Sequence, residues 1–189
     1  MTENIITERL ILRQWRDSDR QPFQDMNADP RVMEFMPGLL APEDTDELIR
    51  RIELHFQRHG FGPFAAELCE DQSFLGYIGL YVPTFDAPFT PAVEIGWRLA
   101  AGHWGRGLAT EGARAVLRYA FEDLGLDSLV SFTVPQNIRS IRVMEKLGMT
   151  HDPSGDFDHP RLPEGHVLRR HVLHRLNRRD WDQPRPPTR

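Results

Sequence analysis

The stretch Trp104-Gly105-Arg106-Gly107-Leu108-Ala109-Thr110-Glu111 decides the fold of this chain. A strand-like run over residues 92–99 precedes it, and an amphipathic helical pattern over residues 108–124 follows it. A strand that leads through a glycine loop into a helix indicates an anion site, because unpaired backbone N–H groups and the positive end of the helix dipole converge there. Gly105 and Gly107 would let a phosphate approach the backbone closely. This stretch alone also leaves open a plain tight turn before a helix.

Two familiar phosphate-binding motifs fit this loop poorly. No Gly-Lys-Ser/Thr follows the glycines, so the Walker pattern is absent. The dinucleotide fingerprint G-x-G-x-x-G matches Gly105 and Gly107 but meets Thr110 where Gly or Ala is required. A dinucleotide-binding oxidoreductase, which would need a parallel sheet that continues past residue 134, is therefore the less favoured alternative.

Beyond the loop, hydrophobic periodicity predicts strands and helices of a single domain. The predicted strands cover residues 5–15, 64–69, 74–82, 93–99, 127–134 and 167–176. The predicted helices cover residues 17–28, 42–59, 108–124 and 137–147. We expect Asp17 or Ser18 to cap the first helix and Asn137 to cap the last. Gly125 and Gly148 should end the last two helices.

The strand before the loop has two different faces. One carries Glu94, Gly96 and Arg98, and the other carries an apolar row formed by Val93, Ile95, Trp97 and Leu99. A glycine within a strand indicates a bulge or the close approach of another backbone. We therefore expect one of these irregularities at Gly96.

Composition places the chain among globular proteins, since its 189 residues are 40% hydrophobic and 27% charged. No apolar run approaches the ~20 residues of a membrane span, and no signal-peptide pattern opens the chain. The only cysteine, Cys69, excludes an internal disulfide. The net charge of −5 argues against general nucleic-acid binding. We expect a cytoplasmic protein with one domain over residues 1–181 and a disordered tail over residues 182–189.

The eight histidines raise the question of a metal site. His55 and His59 have the i, i+4 spacing of zinc-binding helices, but no Glu follows His55 as the H-E-x-x-H motif requires. The later histidines, His166, His171 and His174, form no recognised ligand set. We therefore predict no metal.

Three segments in order resemble the GCN5-related N-acetyltransferases, the GNAT superfamily. Gly107-Leu108-Ala109 resembles the end of the superfamily loop that holds the pyrophosphate of acetyl-CoA, with Trp104 at its Gln/Arg position. The form Trp-Gly-Arg-Gly-x-Ala-Thr-Glu is similar to that of the RimJ/RimL-type subgroup, the ribosomal-protein-alanine acetyltransferases. Residues 137–149 resemble the N-x-x-S…E-K-L-G-[FM] segment of that subgroup, and residues 7–13 resemble its opening strand.

The resemblance implies an α/β (α+β) fold. Its sheet is mixed, mostly antiparallel and twisted, with about seven strands and helices on both faces. Acetyl-CoA, a cosubstrate, lies in a splay between the two central strands, where its pantetheine amides bond to unpaired backbone groups as an added strand would. The residues that the resemblance assigns to cofactor binding are Ile95, Gly96, Trp97, Trp104, Gly105, Arg106, Gly107, Leu108, Ala109, Thr110, Asn137 and Ser140.

The reaction that the resemblance implies is direct acetyl transfer to a primary amine, either a protein N-terminus or a small molecule. An alkylamine has a pKa near ~10.4, so it is mostly protonated at neutral pH and needs a base. Glu94 is the candidate base, and an ion pair with Arg98 or Arg13 is the alternative role for it. A backbone N–H near Ile95 or Gly96 would stabilise the oxyanion.

Ser140 matches the subgroup serine proposed to protonate the departing thiolate. Most of the superfamily uses a Tyr one turn later, where this chain has Met144. Ser140 could instead hydrogen-bond the sulfur or reinforce the cap of its helix, and Asn137 could bind CoA, cap the helix or do both. A non-catalytic acyl-CoA sensor on the same fold remains an alternative. The acceptor and a homodimeric state stay open.

Three further segments are open to more than one interpretation. Phe35 and Met36 would touch substrate or, as we favour, belong to the core. Residues 83–91 form a lid, a dimer contact or an ordinary hairpin loop. Residues 157–166 face the acceptor and set specificity, or make an ordinary surface connection.

Overall fold

The computed structural model describes residues 4–181, and the tail predicted over residues 182–189 lies outside the described residues. Nine strands form in this part of the chain, where about seven were expected. Their bounds are β1 (Ile5–Ile6), β2 (Leu10–Arg13), β3 (Pro63–Leu68), β4 (Phe74–Tyr81), β5 (Glu94–Leu99), β6 (Ser128–Thr133), β7 (Thr150–His151), β8 (Phe157–Asp158) and β9 (Arg170–Asn177). The expectation was too low because β1, β7 and β8 are two residues long, too short for a periodic pattern.

The strands follow the order β1-β2-β3-β4-β5-β6-β9-β7, and β8 pairs with β9. Only the β5–β6 pair is parallel among the strands of residues 4–181, and every other pair is antiparallel. The mixed, mostly antiparallel sheet that was predicted is therefore confirmed. Because β6 pairs antiparallel with β9, the sheet does not continue in parallel past residue 134 as a dinucleotide-binding oxidoreductase would require.

Five α-helices complete the described part of the chain. They are α1 (Arg20–Asn27), α2 (Pro42–His59), α3 (Leu108–Arg118), α4 (Ile138–Leu147) and α5 (Arg178–Trp181), and a π-helical turn, Tyr119–Asp123, extends α3. The predicted bounds of α2 are confirmed, and Gly148 ends α4 with a φ of +81°. None of these helices is both long enough and apolar enough to cross a membrane.

The expected cap of the first helix is wrong. The backbone N–H of Arg16 donates to the carboxylate of Asp19 at 2.8 Å, and a 3₁₀ turn, Asp17–Asp19, precedes α1. Asp19 is fixed there because the guanidinium of Arg13 donates to both of its oxygens, at 2.7 and 2.8 Å. An ion pair with a residue of β2 therefore positions the start of α1, which helix-capping rules do not reveal.

Helices cover both faces of the sheet, as predicted. On one face, α3 packs so closely that a side chain at Gly112 would come 2.4 Å from the Cδ1 of Ile78. On the other face, α1 and α2 share a cluster in which the ring of Phe23 contacts Tyr77 of β4, with centroids 6.2 Å apart. One face of β5 consequently lies on the α3 side of the sheet, and the other face lies on the side of α1 and α2.

The β5 and β6 strands separate almost as soon as they meet. Glu94 and Val130 form their single register pair, and the N–H of Val130 donates to the C=O of Val93 at 3.0 Å. Beyond this point β5 has a ladder partner on one side only, because its pairing with β4 continues without interruption to Leu99. The splay implied by the family resemblance is thus present as a gap between two central strands.

The bulge considered at Gly96 does not occur there. The β4–β5 register runs unbroken through Gly96, and the irregularity of the sheet lies between Ala66 and Glu67 of β3. The close backbone approach belongs to Gly79, which pairs with Gly96 and whose Cβ would lie 2.3 Å from the C=O oxygen of Gly62. A glycine within a strand predicts a close backbone contact in the sheet, but it does not show which of two paired strands makes that contact.

Candidate active site

A cleft of about 340 Å³ opens where β5 and β6 part. The glycine loop, the end of β5 and the start of α4 form its walls, together with residues 31–36. It brings together most of the residues predicted for the cofactor, namely Trp97, Trp104, Gly105, Gly107, Leu108, Ala109, Thr110, Asn137 and Ser140. Of the other three, Ile95 is fully buried, Gly96 lines a second cavity, and Arg106 is exposed and does not line the cleft.

The glycine loop presents a row of unpaired donors to this cleft. Gly105 and Gly107 adopt φ angles of +73° and +79°, which side-chain-bearing residues rarely tolerate. The first intrahelical bond of α3 runs from the N–H of Glu111 to the C=O of Gly107. The N–H groups of residues 105–110 consequently make no hydrogen bond to any residue between 4 and 181. A concave row of donors at a helix N-terminus binds a phosphate group well.

Glu111 fastens this loop to the first hairpin of the chain. Its carboxylate accepts hydrogen bonds from the Thr7 hydroxyl at 2.7 Å and from the backbone N–H of Arg9 at 2.9 Å. The Arg9 guanidinium pairs with the same carboxylate and donates to the C=O of Arg106 at 3.0 Å. Partial burial works against the charge, but these bonds lower the pKa of Glu111 below its ordinary value. The glycine loop is therefore held from outside, which leaves its inner face open.

Trp104 closes the far end of the splay. Its indole N–H donates to the C=O of Leu99 at 2.7 Å, so the last carbonyl of β5 is already occupied. The guanidinium of Arg139, at the start of α4, lies 4.6 Å from the centre of the indole ring and also pairs with Glu34. The indole N–H of Trp104 thus joins the glycine loop to β5, and the face of its ring joins the loop to α4 through Arg139.

Trp97 is the residue whose backbone faces the gap. The carbonyls of Val93 and Leu99 both point toward the β6 side, where they accept from Val130 and Trp104. Because alternate residues of a strand direct their peptide groups to opposite edges, the N–H and C=O of Trp97 point the same way. The peptide groups of Gly96 point toward β4, its paired strand. Free backbone donors and acceptors in the splay are consequently centred on Trp97, one of the residues predicted to bind the cofactor, and not on Gly96.

Glu94 reaches a second cavity, of about 230 Å³, on the opposite face of the sheet. Its carboxylate makes no hydrogen bond or ion pair with any residue of the described range 4–181. The alternative partners are engaged elsewhere, because Arg13 binds Asp19 and Glu67 while Arg98 donates to the side chain of Asn27 at 2.8 Å. Burial raises the pKa of Glu94 to about 8.

The two loops left open by the sequence form walls of this second cavity. Thr84 and Phe85 come from residues 83–91, and His159 and Arg161 come from residues 157–166. The loops are joined to each other, since Arg161 donates to the Thr84 hydroxyl at 2.6 Å and the rings of Phe85 and His159 lie 4.8 Å apart. Neither loop is a loose surface connection, and both face the space next to Glu94.

Asn137 caps α4 as predicted. Its Oδ1 accepts from the N–H of Ser140 at 3.2 Å, and its Nδ2 donates to the Thr133 hydroxyl at 3.0 Å. The Ser140 hydroxyl has no partner among residues 4–181 and lines the cleft. Met144 is 1% exposed and belongs to the core, so it offers nothing to the cleft. The hydroxyl of Ser140 is therefore available to a bound molecule.

Sequence reasoning missed a basic face on α4. Arg139, Arg142 and Lys146 line the cleft at i, i+3 and i+7, a spacing that could have revealed them as one stripe. Phe35 and Met36, assigned to the core, are half-buried and line the cleft. Further lining residues without a sequence signal are Arg31, Val32, Arg98, Leu99, His103 and Val143. The cleft is thus cationic along α4, and along β5 it is apolar except for Arg98.

The paired histidines of α2 have a structural role. His55 is buried, its Nδ1 contacts the C=O of Phe61 at 2.9 Å, and its Nε2 accepts from the N–H of Val82 at 3.0 Å. Desolvation lowers the pKa of His55, which suits a neutral ring with both nitrogens occupied. Among residues 4–181, no group of three or more His, Cys, Asp or Glu side chains is arranged to hold a metal ion.

Comparison with known proteins gives a consistent family assignment. The family profile of the acetyltransferase (GNAT) domain matches residues 9–150. FsC-acetyl coenzyme A-N(2)-transacetylase of Aspergillus fumigatus is 31% identical over 192 aligned residues, which cover 96% of this chain and 79% of that protein. The family uses acetyl-CoA as its acyl donor.

Solved structures share the same architecture. The acetyltransferase from Agrobacterium tumefaciens str. C58 superposes with a TM-score of 0.75 at 31% identity, covering 94% of this chain and 95% of that one. RimL, a ribosomal L7/L12 alpha-N-protein acetyltransferase in complex with coenzyme A, superposes with a TM-score of 0.75 at 16% identity. The superposition covers 95% of this chain and 100% of RimL. At that identity the likeness to RimL concerns the fold alone.

Because the carboxylate of Glu94 is unpaired and desolvated by burial, we expect the free energy of unfolding to depend on pH. A glutamate of ordinary pKa in the unfolded chain releases its proton above pH 4.5, whereas folded Glu94 keeps its proton up to a pH of about 8. Folding therefore becomes less favourable as the pH rises through this window. We expect Glu94→Gln to gain about 2 kcal/mol of stability over the wild type between pH 4.5 and pH 8, allowing for partial solvent contact.

Thermal and urea unfolding across this pH range measure the effect. Glu53→Gln, which changes an exposed carboxylate of α2, is the matched control and should show no such trend. A difference between Glu94→Gln and the wild type that stays constant with pH would contradict the raised pKa.

Proposed function

We propose that this chain, which belongs to the GNAT acetyltransferase family, transfers the acetyl group of acetyl-CoA directly to a primary amine. One observation carries the proposal. A single interrupted strand pair connects a cleft lined with free backbone donors, on one face of the sheet, to the unpaired carboxylate of Glu94 on the other. This arrangement lets a thioester and an amine meet from opposite sides.

The cleft would hold the donor in an extended form. The diphosphate of acetyl-CoA would bind the N–H groups of residues 105–110, with the basic stripe of α4 beside it. Its pantetheine arm would run along the open edge of β5 and bond to the N–H and C=O of Trp97, as an added strand does. The thioester would then lie near the point where Glu94 pairs with Val130.

Glu94 supports the role of general base. With a pKa of about 8, its carboxylate form is partly present at neutral pH and is basic enough to take a proton from an ammonium group. The neutral amine attacks the thioester carbonyl, a C–N bond forms, and negative charge collects on the carbonyl oxygen. Collapse of this intermediate breaks the C–S bond and releases the CoA thiolate. Two protons leave the nitrogen in all: Glu94 takes one from the ammonium group before the attack, and the other neutralises the departing thiolate, so the products are the amide and the thiol of CoA.

Ser140 is the proposed donor toward the departing sulfur. Its hydroxyl is free of protein partners in residues 4–181 and sits at the first turn of α4, where the helix dipole also favours negative charge. A thiolate leaves readily because ordinary thiol pKa values are near ~8.5, so a hydrogen bond suffices. Asn137 would act indirectly, since its cap fixes the backbone of Ser140.

Finer assignments follow from the same residues. The Trp-Gly-Arg-Gly-x-Ala-Thr-Glu loop and the segment that contains Ser140 support the RimJ/RimL-type subgroup. We propose a cytoplasmic enzyme with one catalytic domain over residues 1–181. The lone Cys69, which is exposed and unbridged, suits a reducing compartment.

The loop assignment makes a prediction about donor binding. At Gly107 the φ of +79° is strained for any L-residue, and a Cβ there would point toward Arg9, 3.7 Å away, not into a void. Gly107→Val should therefore turn the loop N–H groups away from the cleft. We expect acetyl-CoA affinity, measured by isothermal titration, to fall by at least about tenfold.

Gly125→Val is the matched control, because Gly125 ends the π-helical turn after α3 with a φ of +67° and lies away from the cleft. It should lose stability to a similar degree and keep its affinity for acetyl-CoA. Equal affinities of the two variants would refute the glycine loop as the diphosphate site.

The role of Glu94 makes a prediction about rate. Glu94→Gln should lower kcat/KM by about 10²-fold or more while the affinity for acetyl-CoA stays unchanged, because the base acts on the amine and not on the donor. In the wild type kcat/KM should rise with pH up to about 8 as Glu94 ionises. The pH profile of Glu94→Gln should lack this rise. An unchanged rate in Glu94→Gln would move the base elsewhere.

A further inference from the structure

The second cavity, next to Glu94, has rigid aromatic walls. Tyr77, Tyr81, Phe85 and Phe132 line it. The ring of Phe85 stacks on Phe157 with centroids 5.8 Å apart, and Phe132 meets the same ring at 5.3 Å. Because Phe157 is 5% exposed, Phe85 and Phe132 belong to a packed cluster and are not mobile surface groups. The cavity can therefore hold an apolar group in a defined position.

The ionisable side chains that line this cavity are few, and they include one acid and one base. Among its lining residues, Glu94 is the one acid and Arg161 is the one cation. His159 is neutral, because desolvation, then His171 and Arg161, lower its pKa to about 4. One carboxylate and one guanidinium at a cavity suit a ligand that carries one ammonium and one anionic group.

Arg161 is held in place without losing its charge. Its Nη2 donates to the Thr84 hydroxyl, its backbone N–H donates to the Nδ1 of His159 at 3.3 Å, and its guanidinium lies 5.9 Å from the centre of Phe85. None of the carboxylates in residues 4–181 forms an ion pair with it. The guanidinium is therefore pre-positioned at the cavity with donors left for a planar anion such as a carboxylate.

The same features disfavour two other acceptor classes. A polyamine brings several ammonium groups, and the cavity lining has a single carboxylate to receive them. A peptide N-terminus has a neutral amide where Arg161 would need an anion. The volume of about 230 Å³ is also below the roughly 300–1,000 Å³ of pockets for drug-sized ligands.

We infer that the acceptor is a small primary amine that carries a carboxylate and an apolar or aromatic body, such as an apolar α-amino acid. Its amine faces Glu94, its apolar body contacts the rings of Tyr77, Phe85 and Phe132, and its carboxylate pairs with Arg161. This inference rests on the proposed function, since it places the acceptor on the Glu94 side of the splay.

A matched pair of acceptors tests it. The full-length protein is supplied with acetyl-CoA, and CoA release is measured with L-phenylalanine and with L-phenylalaninamide, which lacks the carboxylate and imitates a peptide N-terminus. The amide has the less basic amine and the larger reactive fraction at pH 8, so chemistry alone favours it. We expect kcat/KM for phenylalanine to exceed that for the amide by about tenfold or more, the worth of one charge-assisted pair, and spermidine to be inactive.

Arg161 variants assign this preference to one side chain. Arg161→Gln should lower kcat/KM for phenylalanine about tenfold, mostly through KM, and leave the amide within about twofold. Arg161→Lys keeps the positive charge but loses the paired N–H donors of the guanidinium, so it should recover part of the preference for phenylalanine over the amide. Arg179→Gln, at an exposed arginine of α5 remote from both cavities, is the control and should leave both substrates unchanged.

The outcomes separate the two proposals. Acetylation of phenylalaninamide or spermidine in preference to phenylalanine, or equal losses for both substrates in Arg161→Gln, overturns the acceptor class and leaves acetyl transfer standing. Acetyl-CoA binding in titration without acetylation of phenylalanine, leucine or methionine also overturns it. Failure of the protein to bind acetyl-CoA at all would instead overturn the proposed function.

Discussion

The structure depends on an interruption of one strand pair. β5 and β6 meet at Glu94 and Val130 and then part, although each continues to pair with its other neighbour. Buried backbone groups normally find hydrogen-bond partners, so an open edge in the middle of a sheet requires a ligand or water. Indole capping of the Leu99 carbonyl by Trp104 limits the open edge to a short stretch around Trp97. The gap is thus a bounded site and not a frayed edge.

The same interruption gives access through the sheet. The face with α3 and α4 carries the glycine loop and the basic stripe, whereas the other face carries Glu94 in an aromatic cavity. A donor with a long flexible arm and an acceptor amine can therefore approach from opposite sides without competing for space. Desolvation on the Glu94 side raises the pKa of this carboxylate, which is the proposed base. One strand, β5, therefore provides both the open edge for the donor and the carboxylate of Glu94.

Local patterns predicted much of this arrangement. The bounds of α2, the Asn137 cap and the two faces of β5 follow from helix and strand periodicity, and the family resemblance supplied the splay. The misses share a cause, which is contact between residues distant in sequence. Arg13 binds Glu67 as well as Asp19, Thr7 and Arg9 hold Glu111, and residues 84 and 161 meet beside Glu94. A single sequence carries no signal for such pairs, so it could identify β5 as the strand that carries Glu94 but not the cavity beside that residue.

Amide hydrogen exchange, followed by NMR with and without coenzyme A, tests most directly whether the donor completes the open edge of β5. The N–H of Gly96, which faces β4, should be protected in both states, whereas the N–H of Trp97 should become strongly protected only when coenzyme A is bound. The N–H groups of residues 108–110 should gain protection together with Trp97. Saturating coenzyme A with unchanged exchange at Trp97 would contradict the strand-like docking on which the proposed reaction geometry rests.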